Sequence, residues 1–246
     1  MNTVLSKCKQ LLQREILNPG FLSIFINPYY FIKKGLITKL RKNAGYIRGT
    51  TLDFGCGKRS YEHLFDAEKF IGLEIEQSGH DHSKENIDVY YDGQRIPFKN
   101  RSFDCVLSIE VIEHVFNPEE IFNEFYRVLK PGGHILITCP FTWEEHEQPY
   151  DFSRYTSFGI QHLLETHNFT IIKIEKSNSF IETIFQLWNL YLYKKLFPKS
   201  KLLQIICIPL LIFPANLIGT LLSLLLPKNS DLFLNTIVVA KKDDAS

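Results

Sequence analysis

Two short stretches of the 246-residue chain bring together residue types whose spacing suits chemistry. The first is Thr50-Thr51-Leu52-Asp53-Phe54-Gly55-Cys56-Gly57-Lys58, set between a β-type apolar run and a helical one. Glycines one residue apart let the backbone turn sharply and approach a ligand without Cβ interference. The helix expected next offers unpaired N–H groups, so the stretch reads as a nucleotide-type cradle. The second is Glu110-Val111-Ile112-Glu113-His114, two carboxylates three residues apart with an adjacent imidazole at a strand-to-helix bend. His146 can arrive at the same point from the exit of the neighbouring strand. Such a cluster can hold a divalent ion, a histidine alone can act as base or acceptor contact, and the group can equally be structural; the residues leave all three open.

Positioning these groups requires a scaffold of alternating elements. Short apolar runs predict strands at 50–54, 69–73, 87–91, 103–109, 133–138, 170–176 and 235–240, with helices near 60–66, 118–129 and 157–167. That alternation implies a parallel sheet with crossovers. The helix at 118–129 has Asn117 placed as N-cap, Pro118 at its first position and Glu119-Glu120 in its first turn. Upstream, residues 4–17 read as an amphipathic helix and 20–32 are aromatic-rich, with a turn at Asn27-Pro28. The basic helix that follows, Lys33 to Lys42, suits either a solvated face or contact with anionic headgroups. The chain thus divides into an N-terminal helical cap, 1–48, and a domain over 49–246 with an apolar insertion at 178–231.

Composition narrows the class. At 45% hydrophobic and 22% charged, the chain can bury one large α/β core. A formal charge of +1 creates no global field for nucleic acid, which is not expected as a partner. Cys8, Cys56, Cys105, Cys139 and Cys207 are scattered, without zinc or disulfide spacing, as in a reducing compartment. Met1 to Gln13 lacks an uninterrupted apolar core, so no signal peptide is expected and a cytoplasmic location is.

Over roughly 50–176 and the last strand, the chain resembles the class I S-adenosylmethionine-dependent methyltransferases. The residues that carry the resemblance are Asp53-x-Gly55-Cys56-Gly57, Glu74 at the end of the second strand, Asp92-Gly93 after the third, Asn100 to Asp104 leading into the fourth, and Lys130-Pro131-Gly132-Gly133 before the fifth. The family's usual third glycine is replaced by Lys58-Arg59. The resemblance implies a Rossmann-like, seven-stranded, mostly parallel sheet with helices on both faces and an antiparallel last strand. It implies S-adenosyl-L-methionine as cofactor, held by Asp53, Gly55, Cys56, Gly57, Glu74, Asp92, Gly93, Ser108 and Ile109. Glu74 would take the ribose hydroxyls and Asp92 the adenine side, although Asp-Gly also favours a plain turn. His114 and His146 would serve the acceptor. A nicotinamide dehydrogenase, the rival on fold, expects Gly-x-Gly-x-x-Gly, and Ser60 stands at its third glycine.

The Glu110 string also resembles the metal-binding motif of ubiquinone-pathway O-methyltransferases and small-RNA 2′-O-methyltransferases, which implies Glu110, Glu113, His114 and His146 as ligands of a divalent ion; the main expectation uses no metal. Glu147 to Thr156 resembles a segment of methyltransferases encoded with surface-polysaccharide and glycolipid genes. There Tyr150, Arg154 and Tyr155 would grip a sugar or phosphate, or Asp151 to Tyr155 would brace a lid, and Thr156 or Ser157 would cap the next helix.

Within the insertion, Phe180 to Phe197 carries Trp188, Tyr191 and Tyr193 beside Lys194-Lys195, a membrane-interface mix, and Leu202 to Leu226 is uncharged and long enough to cross a bilayer. A single crossing would strand the last β-strand on the wrong side. A re-entrant hairpin or in-plane helix pair, broken around Pro209, Pro214 and Asn216, is therefore expected to make membrane contact through 180–226, the alternatives being a homodimer interface or a subdomain packed on the sheet. The expected function is O-methylation of a saccharide or lipid-linked intermediate at the inner face of the membrane. Alternatives are a metal-assisted O-methyltransferase of a quinone-like or other small acceptor, and a non-catalytic, cofactor-binding, membrane-docked partner subunit.

Overall fold

The computed structural model describes residues 15–76, 86–198, 200, 203, 204 and 207–243. The chain forms two compact units, one from Lys39–Lys176 with Asn235–Ser246, the other from Met1–Thr38 with Ser177–Leu234.

The first unit is built on seven strands, β1 (Thr50–Phe54), β2 (Lys69–Ile75), β3 (Val89–Tyr91), β4 (Phe103–Ile109), β5 (Leu129–Pro140), β6 (Phe169–Lys176) and β7 (Asn235–Lys242). Their order is β3-β2-β1-β4-β5-β7-β6. The first five run parallel, and β7 lies antiparallel between β5 and β6. The order reverses between β1 and β4, so the carboxyl ends of these strands open a crevice, the place where such sheets bind ligands. The central strands are buried on both faces, which is why Cys105, Val106 and Leu107 form a continuous apolar run.

Helices α1 (Tyr30–Asn43), α2 (Pro118–Val128) and α3 (Ser157–Thr166) flank the sheet-forming segments in sequence. In α2, Ile121, Phe122, Phe125 and Val128 share one buried stripe, and Phe125 meets Phe54 of β1 edge to face at 4.9 Å. Thr156 caps α3, its side chain accepting from the Gly159 N–H at 3.0 Å. Asn117 does not cap α2: its amide donates to Glu120 Oε1 instead, and Pro118, which has no N–H to satisfy, starts the helix.

Three further expectations are corrected. The helix placed at 60–66 is only a 3-10 turn, Glu62–Leu64. Here Arg59, at φ +53, takes a left-handed conformation that a helix does not admit, and the chain then returns to the start of the sheet, where Glu68 and Lys69 donate to Gly49 O. The fifth strand begins at Leu129 rather than 133, because Leu129 already pairs with Phe103 before Lys130 to Gly133 bulge out and the ladder resumes at His134. Gly132 sits at φ +74, and a Cβ on Gly133 would lie 2.9 Å from the carbonyls of Asp104 and Lys130. The third strand starts at Val89, two residues late. The helix expected over 4–17 lies outside the described residues except for 15–17, which are helical.

The second unit pairs helices α4 (Phe180–Tyr191) and α5 (Phe213–Leu225) with the turn Ser23–Ile26 and residues Tyr30–Thr38 of α1. A capping box starts α4: Ser179 N–H donates to Glu182 Oε2 at 2.8 Å while Ser179 Oγ accepts from the Glu182 N–H. Gly219 of α5 provides the seat for α4, since a Cβ there would lie within 2.8 Å of Phe185 and Phe31. Buried amides add direction. Asn189 donates to Asn216 at 2.7 Å, Asn216 to the carbonyls of Ile24 and Asn27, and Gln186 to that of Pro28. The break expected at Pro209, Pro214 and Asn216 does not occur. The path is helical from Ile208 to Leu225, and a π-helical turn at Ile208–Ile212 absorbs the missing N–H groups.

Of the basic residues in α1, Lys39 and Lys42 are neither free nor lipid-facing, for both pair with Glu175 of β6 at 3.0 and 2.8 Å, joined by Lys173 at 3.2 Å and the Asn43 amide at 2.8 Å. Partial burial opposes ionisation of Glu175, but these donors hold its carboxyl well below the usual range. Its stabilisation is therefore present above the unfolded pKa, about 4.3, and is lost as pH falls through the folded value. In urea melts at pH 7, Glu175→Gln is expected to lose about 1 kcal/mol after allowance for solvent screening of the lysines, and the difference from wild type is expected to shrink in strong acid.

Candidate active site at the carboxyl ends of the strands

β1 ends at Asp53 and Phe54, and the chain turns over the end of β2, with the N–H groups of Gly55 and Cys56 both donating to Leu73 O. Gly55 has φ +69, and a Cβ there would lie 2.5 Å from the methyls of Val111, so only glycine lets the loop pass this close to the β4 exit. Gly57, at φ +45, donates its N–H to Glu74 Oε2 at 3.0 Å, and Glu74 Oε1 accepts from Ile75. Where a third glycine was missing, Arg59 adopts φ +53. It lies across Gly72 of β2 and pairs with Asp88 and Glu62.

A cavity of about 150 Å³ lies against Asp53, Gly55, Cys56, Ser60, Tyr61 and Ile109. Asp53 is 6% exposed. Burial raises its pKa to about 8, reinforced by the charges of Glu62 and Glu74 and opposed by Arg59. A cation entering the cavity would restore its ionised form. The Cys56 thiol is pushed up to about 12 by burial and by Asp53, which rules it out as a nucleophile at neutral pH. A second, larger cavity of about 530 Å³ includes Ile75, Asp92, Gly93, His114, Phe116 and Tyr150 in its lining. One oxygen of Asp92 makes the turn anticipated for Asp-Gly, accepting from the N–H groups of Gln94 and Arg95. Ser108 is fully buried on β4, and its hydroxyl has no hydrogen-bond partner among the described residues.

Beyond Ile109 the chain bends through Glu110 at φ +55. The Glu110 N–H donates to Thr138 O, its Oε1 accepts from the Thr138 hydroxyl at 2.6 Å and its Oε2 from the Asn235 amide at 2.6 Å. Glu110 thus braces β4, β5 and β7 and is not part of the cluster of ligand-type atoms. That cluster is Glu113, His114 and His146, whose donor atoms lie within 4.8 Å of one another. The imidazole rings meet edge to face at 4.7 Å.

Hydrogen bonds fix both imidazoles. His114 Nδ1 lies 2.7 Å from the Tyr150 carbonyl, which can only accept, so Nδ1 carries the proton and Nε2 the lone pair. That Nε2 is buried without a hydrogen-bond partner among the described residues, 3.8 Å from Glu113 Oε1 and 3.6 Å from Glu147 Oε2. His146 donates its backbone N–H to Asp151 Oδ2 at 2.8 Å, and its Nδ1 lies 3.2 Å from the same oxygen, 3.3 Å from the Glu144 carbonyl and 3.5 Å from the Arg154 guanidinium. Burial works against ionisation of Asp151, but the Arg154 guanidinium, at 2.5 and 2.6 Å, brings it down to about 2. Burial lowers the pKa of His114, more than the Tyr150 carbonyl and Glu147 raise it, so the ring is neutral at pH 7. Glu113 is fully buried, neither of its oxygens is hydrogen-bonded among the described residues, and burial followed by the charge of Glu110 raises its pKa well above the usual range.

The segment after β5 is pinned over this cluster by the N–H groups of Phe152 and Ser153, which donate to the Glu113 carbonyl. Arg154 is spent internally on Asp151, Ser153 O and Glu144 O, so of its two anticipated uses the geometry displays bracing. Sequence reasoning missed Thr138 and Asn235 as the partners of Glu110, Tyr61 in the smaller cavity, Phe116 at the rim of the larger one, and Glu147 beside His114. Glu147 left one local signal, a carboxylate one residue past His146; the others depend on contacts made only after folding.

Residues 52–137 match the family model described as a methyltransferase domain. Among curated relatives, the ubiquinone/menaquinone biosynthesis C-methyltransferase of Ruegeria sp. (strain TM1040) is 33% identical over 81 residues, 33% of this chain and 28% of that protein. The sterol 24-C-methyltransferase of Candida albicans is 30% identical over 124 residues, 45% of this chain and 33% of the relative. The chain therefore spans about a third of the length of these relatives. Among solved structures, a methyltransferase from Archaeoglobus fulgidus superposes with a TM-score of 0.53 at 17% identity, covering 95% of this chain and 99% of that one, which speaks to the fold alone. With the strand order, the glycine loop and the family match in agreement, the chain carries a class I S-adenosylmethionine-dependent methyltransferase domain.

Proposed function

We propose that the protein transfers a methyl group from S-adenosylmethionine to a hydroxyl of a saccharide or lipid-linked acceptor, in the cytoplasm at the inner face of the membrane. The observation that carries this assignment is the pair of cavities along the carboxyl ends of the strands, one against Asp53 and Gly55, the other against Asp92, Gly93 and His114.

The residues suit the cofactor. Asp53 is a buried carboxylate whose ionised form calls for a cation such as an amino-acid ammonium, and Gly55 leaves backbone without a side chain beside it. Glu74, near the end of β2, would take the ribose hydroxyls, and Asp92 and Gly93, in the lining of the larger cavity, would meet the adenine. When bound, S-adenosylmethionine supplies an electrophilic methyl on a sulfonium. The protein's part is then to hold the acceptor oxygen in line and to receive its proton. His114 is suited to that role: its Nε2 lone pair is exposed to no competing donor among the described residues, and the Tyr150 carbonyl holds the tautomer.

A second mode, metal assistance, is favoured by one observation: Glu113, His114 and His146 present converging donors while Tyr150 and Asp151 fix both rings from behind, as outer partners do for metal-bound histidines. In that mode a divalent ion would polarise the acceptor hydroxyl, and Glu110 would act only as a brace.

Calorimetry with S-adenosylmethionine is expected to detect binding, weakened about tenfold or more in Glu74→Ala, since charge-assisted hydrogen bonds contribute about 1.5–3 kcal/mol each. Absence of binding to the folded wild type would overturn the cofactor assignment. Because Asp53 titrates at about 8 without ligand, binding at pH 7 is expected to release a proton, seen as heats that vary with buffer ionisation enthalpy, and Asp53→Asn abolishes the release. With labelled cofactor and membrane or polysaccharide extracts, label is expected in an O-methyl product, and His114→Asn is expected to slow its formation about 10²–10⁴-fold. Loss of turnover on chelation, restored by added metal and matched by metal content in the purified protein, would select the metal-assisted mode. Cofactor binding with no labelled product would point to a non-catalytic partner subunit.

A further inference from the structure

The larger cavity at the carboxyl ends of the strands is lined from two directions. Ile75, Glu76 and Tyr91 to Gln94 come from the ends of β2 and β3 and the residues just beyond, while His114 to Asn117, Tyr150 and Phe152 come from the segments that follow β4 and β5. The cofactor assignment draws on the first side. On the second, Phe116 and Phe152 stand edge to face at 5.2 Å, yet they are 75% and 44% exposed. Large aromatic surface left in water beside a polar group such as His114 marks a place for a ligand. Both rings are carried on pinned backbone: the Phe152 N–H donates to the Glu113 carbonyl, and the Val115 N–H, next to Phe116, to Ile112 O. Their position beside His114 is thus set before any ligand arrives.

Charge narrows the ligand. Among the described residues, the lining contains the acids Glu76, Asp92 and Glu120 and neither lysine nor arginine, and the Glu147 carboxylate lies 3.6 Å from His114 Nε2. Arg154 is closed on Asp151 and the carbonyls of Ser153 and Glu144, and the charge of Arg95 is felt at Glu124. A phosphate or carboxylate placed here would therefore meet like charge, and no cation of the described lining would pair with it. Carboxylates accept hydrogen bonds and donate none, so Glu76 and Glu120 suit hydroxyl donors. An aryl or quinone-like ring brings few such donors. A sugar ring brings many, and its weakly positive C–H face suits the negative face of an aromatic ring.

We infer that Phe116 and Phe152 form the acceptor subsite and select an uncharged sugar ring, one with no phosphate or carboxylate on the unit that receives the methyl group. The inference deepens the proposed function and rests on it for the reaction that the sugar undergoes. The test is saturation-transfer NMR on the full-length protein, with and without S-adenosylhomocysteine. The probes are the methyl glycosides of glucose, galactose, mannose and rhamnose, with glucose 6-phosphate and glucuronic acid as anionic sugars and p-cresol as a ring without the hydroxyl set. Saturation is expected to reach the ring C–H protons of at least one glycoside, to be weaker for p-cresol and to leave the anionic sugars at background. Phe116→Ala/Phe152→Ala is expected to weaken glycoside binding about tenfold or more, while S-adenosylmethionine affinity by calorimetry stays within about twofold of wild type. Glu76→Gln/Glu120→Gln, which keeps the side-chain shape without the charge, is expected to bring glucose 6-phosphate above background. Background for every glycoside, equal transfer to the anionic sugars or p-cresol, an unchanged phenylalanine variant, or no gain in the glutamine variant would overturn the inference. So would a matching loss of cofactor affinity in the phenylalanine variant, which would put the rings in the cofactor site. Cofactor binding without glycoside contact refutes the sugar subsite alone, and glycoside contact without cofactor binding refutes the methyl-transfer reading alone.

Discussion

One carboxylate at the exit of β4 holds the ends of three strands together. Glu110 accepts from Thr138 of β5 and Asn235 of β7 while its own N–H is held by Thr138. It does this in a left-handed conformation that costs a non-glycine residue about 1–3 kcal/mol, a cost the charge-assisted hydrogen bonds offset. The bend turns the following residues inward, so that Glu113 is fully buried and His114 meets His146. It also fixes where β7 starts, directly after the long insertion. The chemistry of the cluster and the return of the chain to the sheet therefore depend on the same side chain.

Local features were the legible ones. The glycine loop, the acid Glu74 near the end of β2 and the cap of α3 rest on turn chemistry and short-range periodicity, and the seven-stranded, mostly parallel sheet with its antiparallel last strand followed from the resemblance those motifs carried. Glu110 could be placed among the possible ligands of an ion only because its spacing from Glu113 looks like a ligand pair. Its actual partners, 28 and 125 residues away in sequence, cannot be inferred from spacing. The helix at 60–66 was overread for a related reason, since local pattern carries no information about how quickly the chain must regain the sheet. At Pro209 and Pro214 a sound local rule, that proline interrupts an α-helix, was met by a π-helical turn rather than a break.

The two units are held by different physics. The sheet unit is cemented by aromatic and aliphatic packing, with Phe54, Phe122 and Phe125 in contact across β1 and α2. In the helical unit, buried amides supply much of the specificity. Leucine-rich helices slide easily against one another, and a misregistered Asn189, Asn216 or Gln186 would be buried without partners, a penalty of about 1–3 kcal/mol each. That lattice sets which face of α5 is turned inward and hence which leucines are left outside.

The pairing of Lys176 with Thr236 also gives the insertion a particular standing in the fold. An antiparallel pair such as β6 and β7 needs only a two-residue turn, so for the sheet everything between these strands is one overgrown hairpin loop. Loop-closure entropy rises by only about 0.6 kcal/mol per doubling of length, and the insertion offsets even this by folding on N-terminal residues of its own unit. The sheet is thereby indifferent to what the loop contains. A methyltransferase core of this kind can exchange its helical accessory for another, or enlarge it, without moving the strands that form its crevice.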